Sequence, residues 1–359
     1  GFLLGALGMY RLARRWWSGP VALVTSLAFT YAPYHLSQIY VRGALAEFMA
    51  LNWFPWVMLA FVRLWEKPSL RRLAGAGLAI AVLLLTHTHS LLMFVPILGG
   101  LVVALFLPST ARNANGERRL QRGLRFLLTV AGAGALGLLL SSIFLVPMLL
   151  ERQYVAQEQW TYGTYNYALH FVYPSQFFDP DWGYLYSTPG TGDGMSFQLG
   201  IVITLLAATG AFAILRRSTG QAHRPIMYFI LTGAATALFA MTPASALLWE
   251  ALPIAALIQF PWRLLAVTVF CLALLAGAGV AWLEGRSDVK GPYPLFVALA
   301  LVAASLPFTH PLLLPIQSQD ESPLAAIRFE LEHPDMRGKT VWSERLPADE
   351  DSPLFDQYL

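Results

Sequence analysis

Residues 73–108 read LAGAGLAIAVLLLTHTHSLLMFVPILGGLVVALFLP, an apolar run interrupted only by Thr86-His87-Thr88-His89-Ser90. As one helix this run would extend about 52 Å at about 1.5 Å per residue. A bilayer core is about 30 Å thick and takes about 20 apolar residues per crossing. Two helices meeting at the histidines fit that thickness, and a single helix does not. The run therefore reads as two membrane spans, 72–87 and 89–108, with a polar turn between them.

The rest of the chain repeats this pattern. Hydrophobic residues make up 56% of the 359 and charged residues 13%, about half the charge of a soluble domain. A soluble body of this composition would expose large apolar patches. Apolar run length places further full spans near 19–35, 45–63, 126–149, 197–215, 226–242, 263–283 and 293–309, with a partial span over 1–10. The expected fold is an all-α polytopic transmembrane helical bundle of about nine full spans plus one partial. Residues 1–310 form it, with 150–196 as the longest loop. Residues 311–359, which hold ten Asp or Glu, are expected to begin a polar external region that is cut short. Residues 244–260, between Pro243 and Pro261, are too few to cross and return as two helices, and are expected as an interfacial or re-entrant helix. The chain opens inside a hydrophobic segment without methionine, as a fragment would.

Charge sorting orients the bundle. If the loop after the partial span is cytoplasmic and sides alternate from there, 17 of the 24 Lys and Arg fall on the cytoplasmic side. They lie in the loops around residues 11–15, 63–72, 112–125, 216–224 and 286–290, as the positive-inside rule demands. Only Glu66, Glu117, Glu284 and Asp288 of the 21 acids fall there, and six of the seven histidines fall on the external side. Basic residues dispersed by loop leave no nucleic-acid footprint. The single Cys271 excludes an internal disulfide and a cysteine zinc site within one chain.

Four places offer chemistry. Arg42 and Glu47 stand at the external entrance of a span, where a charge is costly unless paired or hydrated. Arg42 can hold a phosphate or carboxylate in bidentate fashion. The plainer alternative is a snorkelling arginine and a glutamate at a helix N-terminus. On a continuous helix five residues separate them by about 140°, so they are expected not to pair with each other. His87 and His89 at i, i+2 can share a metal if a third ligand comes from elsewhere, or simply cap the helix turn. In the long loop Glu158, His170, Asp179 and Asp181 stand among aromatic residues. The two aspartates can hold a divalent cation or supply a base, or form a turn around Pro180. Gln259-Phe260-Pro261-Trp262-Arg263 starts a span, with Trp262 as interface anchor. Arg263 on the external side runs against the positive-inside rule, and an anionic partner such as a lipid phosphate would rationalise it.

Three stretches carry a resemblance. Tyr31-Ala32-Pro33-Tyr34-His35-Leu36, Tyr40-Val41-Arg42-Gly43-Ala44-Leu45-Ala46-Glu47 and Gln259-Phe260-Pro261-Trp262-Arg263 resemble bacterial multi-pass proteins labelled "6-pyruvoyl-tetrahydropterin synthase-related". The tail Thr340-Val341-Trp342-Ser343-Glu344-Arg345-Leu346-Pro347 is similar to the start of their external region. Nothing in these residues suggests pterin chemistry. Those proteins look like relatives of the GT-C membrane glycosyltransferases. The resemblance implies an inner-membrane transferase using a polyprenyl-phosphate-linked sugar on the external face. It makes Arg42, Arg263, Glu47 and Gln259 candidates for the lipid phosphate, and His35, His87, His89, Glu158, Asp179 and Asp181 candidates around the external loop. The acidic first external loop that carries catalysis in GT-C enzymes has no counterpart in this chain, so no catalytic residue is assigned. Two alternatives stay open: a non-catalytic subunit of a larger membrane complex, and a lipid or polysaccharide transporter. The nearly charge-free spans speak against an ion-coupled relay. The small-residue runs Gly132-Ala133-Gly134-Ala135 and Ala276-Gly277-Ala278-Gly279 suit close helix packing under every reading.

Overall fold

Prolines and glycines decide where these apolar runs become helices. The computed structural model describes residues 1–107, 116–156, 161–192, 194–216, 223–286, 293–310, 312–313, 315–333 and 341–342. The helices are α1 (Phe2–Ala13), α2 (Gly19–Thr30), α3 (Pro33–Tyr40), α4 (Leu45–Glu66), α5 (Leu70–Thr86), α6 (Thr88–Phe106), α7 (Gly116–Leu140) and α8 (Ser142–Glu151). They continue with α9 (Ile201–Leu215), α10 (Arg224–Ala240), α11 (Ala246–Ala251), α12 (Leu265–Glu284), α13 (Tyr293–Ser305) and α14 (Pro323–Glu332). Among the described residues no strand forms, and a lone bridge pairs Tyr184 with Met195.

The hinge at the histidines is present: α5 ends at Thr86, His87 is extended, and α6 starts at Thr88. Two boundaries differ from expectation. The run 19–35 stops at Thr30, because Ala32 must be extended before Pro33 (φ −62, ψ 135), which opens α3. The run 126–149 is divided at Ser141 into α7 and α8. Among the described residues four helical segments are long and apolar enough to cross a bilayer: Leu45–Glu66, Thr88–Phe106, Leu120–Leu140 and Pro261–Glu284. Arg224–Ala240 with Pro243–Ala251 makes a fifth if that pair, bent by 94°, is one broken span. Within residues 244–260, expected as one interfacial or re-entrant helix, the chain forms the short helix α11 and a one-turn helix over Pro253–Ile258. The remaining apolar helices are shorter.

α12 is a central post, packed chiefly against α9, α10 and α2. Every residue from Leu265 to Val280 is buried, so it is apolar all round, as a helix enclosed on every side must be. Its Phe270 meets the edges of Phe54 and Phe94, which stack on each other at 4.2 Å. Glycines let α9 approach it: a Cβ at Gly210 would lie 1.9 Å from the Leu275 carbonyl oxygen. One at Gly279 would lie 2.3 Å from that of Leu206. In the other small-residue run a Cβ at Gly132 would lie 3.1 Å from Leu73 of α5 while Gly134 meets nothing, and just beyond the run Gly137 touches Ile80 and the Gly77 carbonyl of α5.

The two ends of the bundle are tied separately. At one end Arg15 pairs with Glu66 (2.5 Å) and Ser18 Oγ donates to Glu284 (3.2 Å). At the other, Val172 N donates to the Met241 carbonyl, Leu199 N to that of Phe177, and Arg263 reaches Glu47. The described residues of 152–200 hold one-turn helices and lie over this second end. Near Tyr154 the chain meets the tail again: Trp342 stacks on Tyr154 and Val341 N donates to its carbonyl.

Candidate functional site

Glu47 is the centre of the second end. It opens α4 and is 3% exposed. Tyr34 Oη (2.8 Å) and Gln38 Nε2 (3.0 Å) donate to its Oε1. On Oε2, Arg42 donates through Nη2 at 2.9 Å and Arg263 Nε approaches to 3.5 Å. Arg42 also donates through Nη1 to Gln38 Oε1 at 2.5 Å. The guanidinium groups are 14% and 12% exposed, so one carboxylate stands between two largely buried cations. Among the described residues no other carboxylate lies within 4.0 Å of either.

The expectation that Arg42 and Glu47 do not pair is wrong, for a local reason. It assumed one continuous helix, but α3 ends at Tyr40 and α4 begins at Leu45. Gly43 between them takes φ +58, a left-handed conformation that glycine adopts without a Cβ clash. The turn brings Arg42 back over the first turn of α4. Tyr34 and Gln38, absent from the sequence candidates, have a signal in hindsight: they lie four apart on α3 and so share one face. Burial alone would lower the pKa of Arg42, but Glu47 and Tyr34 outweigh it and the net shift is upward.

Arg263 is placed by a second unusual turn. Phe260 N donates to the Ile258 carbonyl across Gln259, which has φ 66 and ψ −46. This is a γ-turn of the positive-φ kind, a strained conformation. Arg263 Nη1 holds it from below, donating to the Ile258 carbonyl (2.9 Å) and to Gln259 Oε1 (2.8 Å). Its Nε has no hydrogen-bond acceptor. Trp262 is not an interface anchor: it is 4% exposed, with Arg42 stacked on its ring at 4.5 Å. The 152–200 loop covers it, which residue type alone does not reveal.

That loop docks through a relay of hydrogen bonds. Trp262 Nε1 donates to Ser187 Oγ (3.1 Å), Ser187 Oγ lies 2.7 Å from His170 Nδ1, and His170 Nε2 lies 2.6 Å from the Thr164 carbonyl. The carbonyl must accept, so Nε2 carries the proton and Nδ1 accepts from the serine. Burial lowers the pKa of His170 below its ordinary 6.5, partly opposed by the bond to Thr164. Tyr165 from the same loop lies within electrostatic reach of Arg263.

The other candidates divide. His87 and His89 sit 5.2 Å apart, within electrostatic reach of Glu47 and Arg263. His87 takes the plainer role, capping α6 by accepting from Ser90 N (3.3 Å). Among the described residues no group of three or more His, Cys, Asp or Glu is placed to hold a metal ion. His35 is not in an exposed loop: it is fully buried, Nδ1 against the Phe29 carbonyl, among the rings of Phe2, Phe29 and Phe48. Proline at the start of α3 turns that residue inward. Asp179 and Asp181 are exposed and form the turn, with Asp181 N donating to Asp179 Oδ1 at 3.0 Å. Glu158 lies outside the described residues.

Beside the cluster is an apolar cavity of about 440 Å³ between α6, α10 and α12. Ile258 and Leu264, on either side of the Arg263 turn, line it together with Ile97, Phe229, Trp249 and Val267.

The model of the 6-pyruvoyl-tetrahydropterin synthase related domain matches residues 1–304. The chain belongs to this family. The family is one of membrane proteins, in keeping with the long apolar helices, and the match takes in all of the Arg42–Glu47–Arg263 cluster. No curated protein sequence matches the chain.

Proposed function

We propose that the chain is a GT-C-like membrane glycosyltransferase that binds a polyprenyl-phosphate-linked sugar at the Arg42–Glu47–Arg263 cluster. On this reading the shorter apolar helices cross together with their flanking turns, giving nine full spans and one partial in the bacterial inner membrane. The basic loops are cytoplasmic, and the cluster and the 152–200 loop face outward. The observation that carries the reading is a surplus positive charge, two guanidiniums on one carboxylate, beside an apolar cavity of about 440 Å³. An anion attached to a long apolar chain satisfies both features at once.

On this reading each part of the site has a role that its geometry supports. Arg263, with its Nε lacking an acceptor, takes the donor phosphate. The cavity takes the first part of the polyprenyl chain. In the reaction an acceptor oxygen attacks the anomeric carbon, the bond from that carbon to the phosphate oxygen breaks, and the phosphate departs with the electron pair. Arginine stabilises the charge that develops there. The acceptor's proton needs a base. Glu47 is poorly suited to that task, since three donors already occupy its two oxygens and Arg263 stands 3.5 Å from one of them.

The test is to titrate the purified chain in detergent with polyprenyl phosphate. Binding that falls about tenfold or more in Arg263→Gln is expected. Absence of binding, or equal binding by the variant, would sink the proposal. Reconstitution with a radiolabelled polyprenyl-phosphate sugar then separates a transferase, which releases polyprenyl phosphate when acceptor is present, from a subunit that binds without turnover. One observation favours the subunit: α8 buries none of its residues and exposes Ile143, Phe144, Leu149 and Leu150. A partner helix in a larger complex would cover that face.

A further inference from the structure

At the opposite end of the bundle a second cavity, of about 300 Å³, runs along the outside of α4 and α5. Its upper walls are Trp53 and Val82 and its lower end is Arg63, Arg71 and Arg72. Ten residues separate Trp53 from Arg63 and eleven separate Arg71 from Val82, about 15 Å in each case at about 1.5 Å per residue. That is half of a hydrocarbon core about 30 Å thick, the depth of one leaflet. The groove therefore runs from the middle of the bilayer to one surface and meets arginine there.

The arginines are not equivalent. Arg72 donates to the Arg63 carbonyl and lies 4.0 Å from Glu66, which Arg15 already holds at 2.5 Å. Among the described residues Arg63 and Arg71 have no carboxylate within 4.0 Å. Two guanidiniums without counter-charge thus stand at the surface end of an apolar groove. One wall is rigid: Trp56 donates its indole N–H to the Leu4 carbonyl at 2.9 Å and carries Arg11 over its ring.

Gly75 is the second observation. It lines the groove, and a Cβ added there would meet no atom within 4 Å. Its neighbour Gly77 is different, since a Cβ there would sit 2.9 Å from Leu136 of α7. Helix packing accounts for Gly77 and not for Gly75. A glycine inside a helix is unfavourable relative to alanine, and here it widens the groove.

We propose that this groove binds an anionic phospholipid, its phosphate held by Arg63 and Arg71 and one acyl chain lying over Gly75 between Trp53 and Val82. The site is independent of the sugar-donor reading. It lies at the other end of the molecule and shares no residue with the Arg42–Glu47–Arg263 cluster. Charge selects the headgroup, because a zwitterionic lipid brings its own cation to the arginines. Depth selects a lipid over a free anion, since only a chain fills the apolar length.

Binding of phosphatidylglycerol, phosphatidylcholine and inorganic phosphate to the purified full chain tests this. Phosphatidylglycerol is expected to bind about tenfold or more tightly than phosphatidylcholine. The pair Arg63→Gln and Arg71→Gln should abolish that preference. Gly75→Leu should weaken phosphatidylglycerol binding by a similar factor, because its side chain fills the groove in space the protein does not use, while favouring the helix. Equal binding of the two lipids, or phosphatidylglycerol binding unchanged in either variant, would overturn the site. So would inorganic phosphate competing as well as the lipid and indifferent to Gly75→Leu, which would reveal a simple anion site.

Discussion

Glu47 and its two arginines do different work, and substitution separates them. Glu47→Ala leaves Arg42 and Arg263 buried without a counter-charge. Removing one partner of a buried ion pair costs about 3–5 kcal/mol, so a sharp fall in thermal stability in detergent is expected. Arg42 makes two hydrogen bonds, to Gln38 and Glu47, and covers Trp262. Arg263 also makes two hydrogen bonds, to the Ile258 carbonyl and Gln259 Oε1, but these stay within its own turn, and it reaches Glu47 only at 3.5 Å with its Nε lacking an acceptor. Arg42→Gln should therefore destabilise more than Arg263→Gln, while Arg263→Gln should lose more polyprenyl-phosphate binding. If the two variants lose stability and binding in the same proportion, the division between a structural and a ligand-facing arginine is wrong. Gly43→Val gives a third check at this scale. A β-branched residue at φ +58 is strained by about 1–2 kcal/mol, and it would shift Arg42 away from α4.

Helices and loops carry the next predictions. The α9–α12 contact has no room for side chains, so Gly210→Val should cost about 1–3 kcal/mol or more by overpacking. Gly134→Ala faces open space and should be neutral or stabilise by up to about 1 kcal/mol. Thermal unfolding of the two variants side by side reads both. The loop relay through His170 should respond to pH. Its pKa is lowered on folding, so the folded loop binds fewer protons than the undocked one. Its docking is complete above about pH 6.5 and weakens as pH falls below that value. Hydrogen exchange across residues 164–187 should quicken between pH 7.5 and 5.5 after correction for intrinsic rates, and His170→Ala should be fast at both. A parent loop indifferent to pH would show that the imidazole does not hold it. At this scale the sequence was most legible where run length alone decides, as at the hinge between α5 and α6. It was least legible where a turn overrides helical spacing. Arg42 and Glu47 were found as candidates but not as a pair, because their meeting depends on the φ of Gly43. Arg263 stood out by its charge, whereas Tyr34 and Gln38 hid in an ordinary helical face. Trp262 was misread because the cover that buries it comes from residues about 75 positions away.

The whole molecule is a post with two chemically different ends. α12 supplies the common core, and nothing in that core distinguishes one side of the membrane from the other. The ends do: one gathers Arg15, Arg63, Arg71, Arg72 and Glu66, and the other gathers the aromatic loop over the Arg42–Glu47–Arg263 cluster. The sugar-donor reading needs the second end outside, because a polyprenyl-phosphate sugar used on the external face must be met there. Orientation is therefore the property on which the functional reading turns, and single cysteines can measure it. The native Cys271 is 1% exposed, so the parent chain should stay silent toward a membrane-impermeant maleimide. Tyr186 in the loop is 66% exposed, and Arg216 at the end of α9 is also exposed. In intact cells Tyr186→Cys should label at once and Arg216→Cys only after the membrane is opened. The opposite pattern would put the arginine-rich end outside. The cluster would then face the cytoplasm, and an external transferase would be excluded. The phospholipid groove would survive that inversion, since its depth and charge depend on the bilayer and not on which leaflet supplies the lipid.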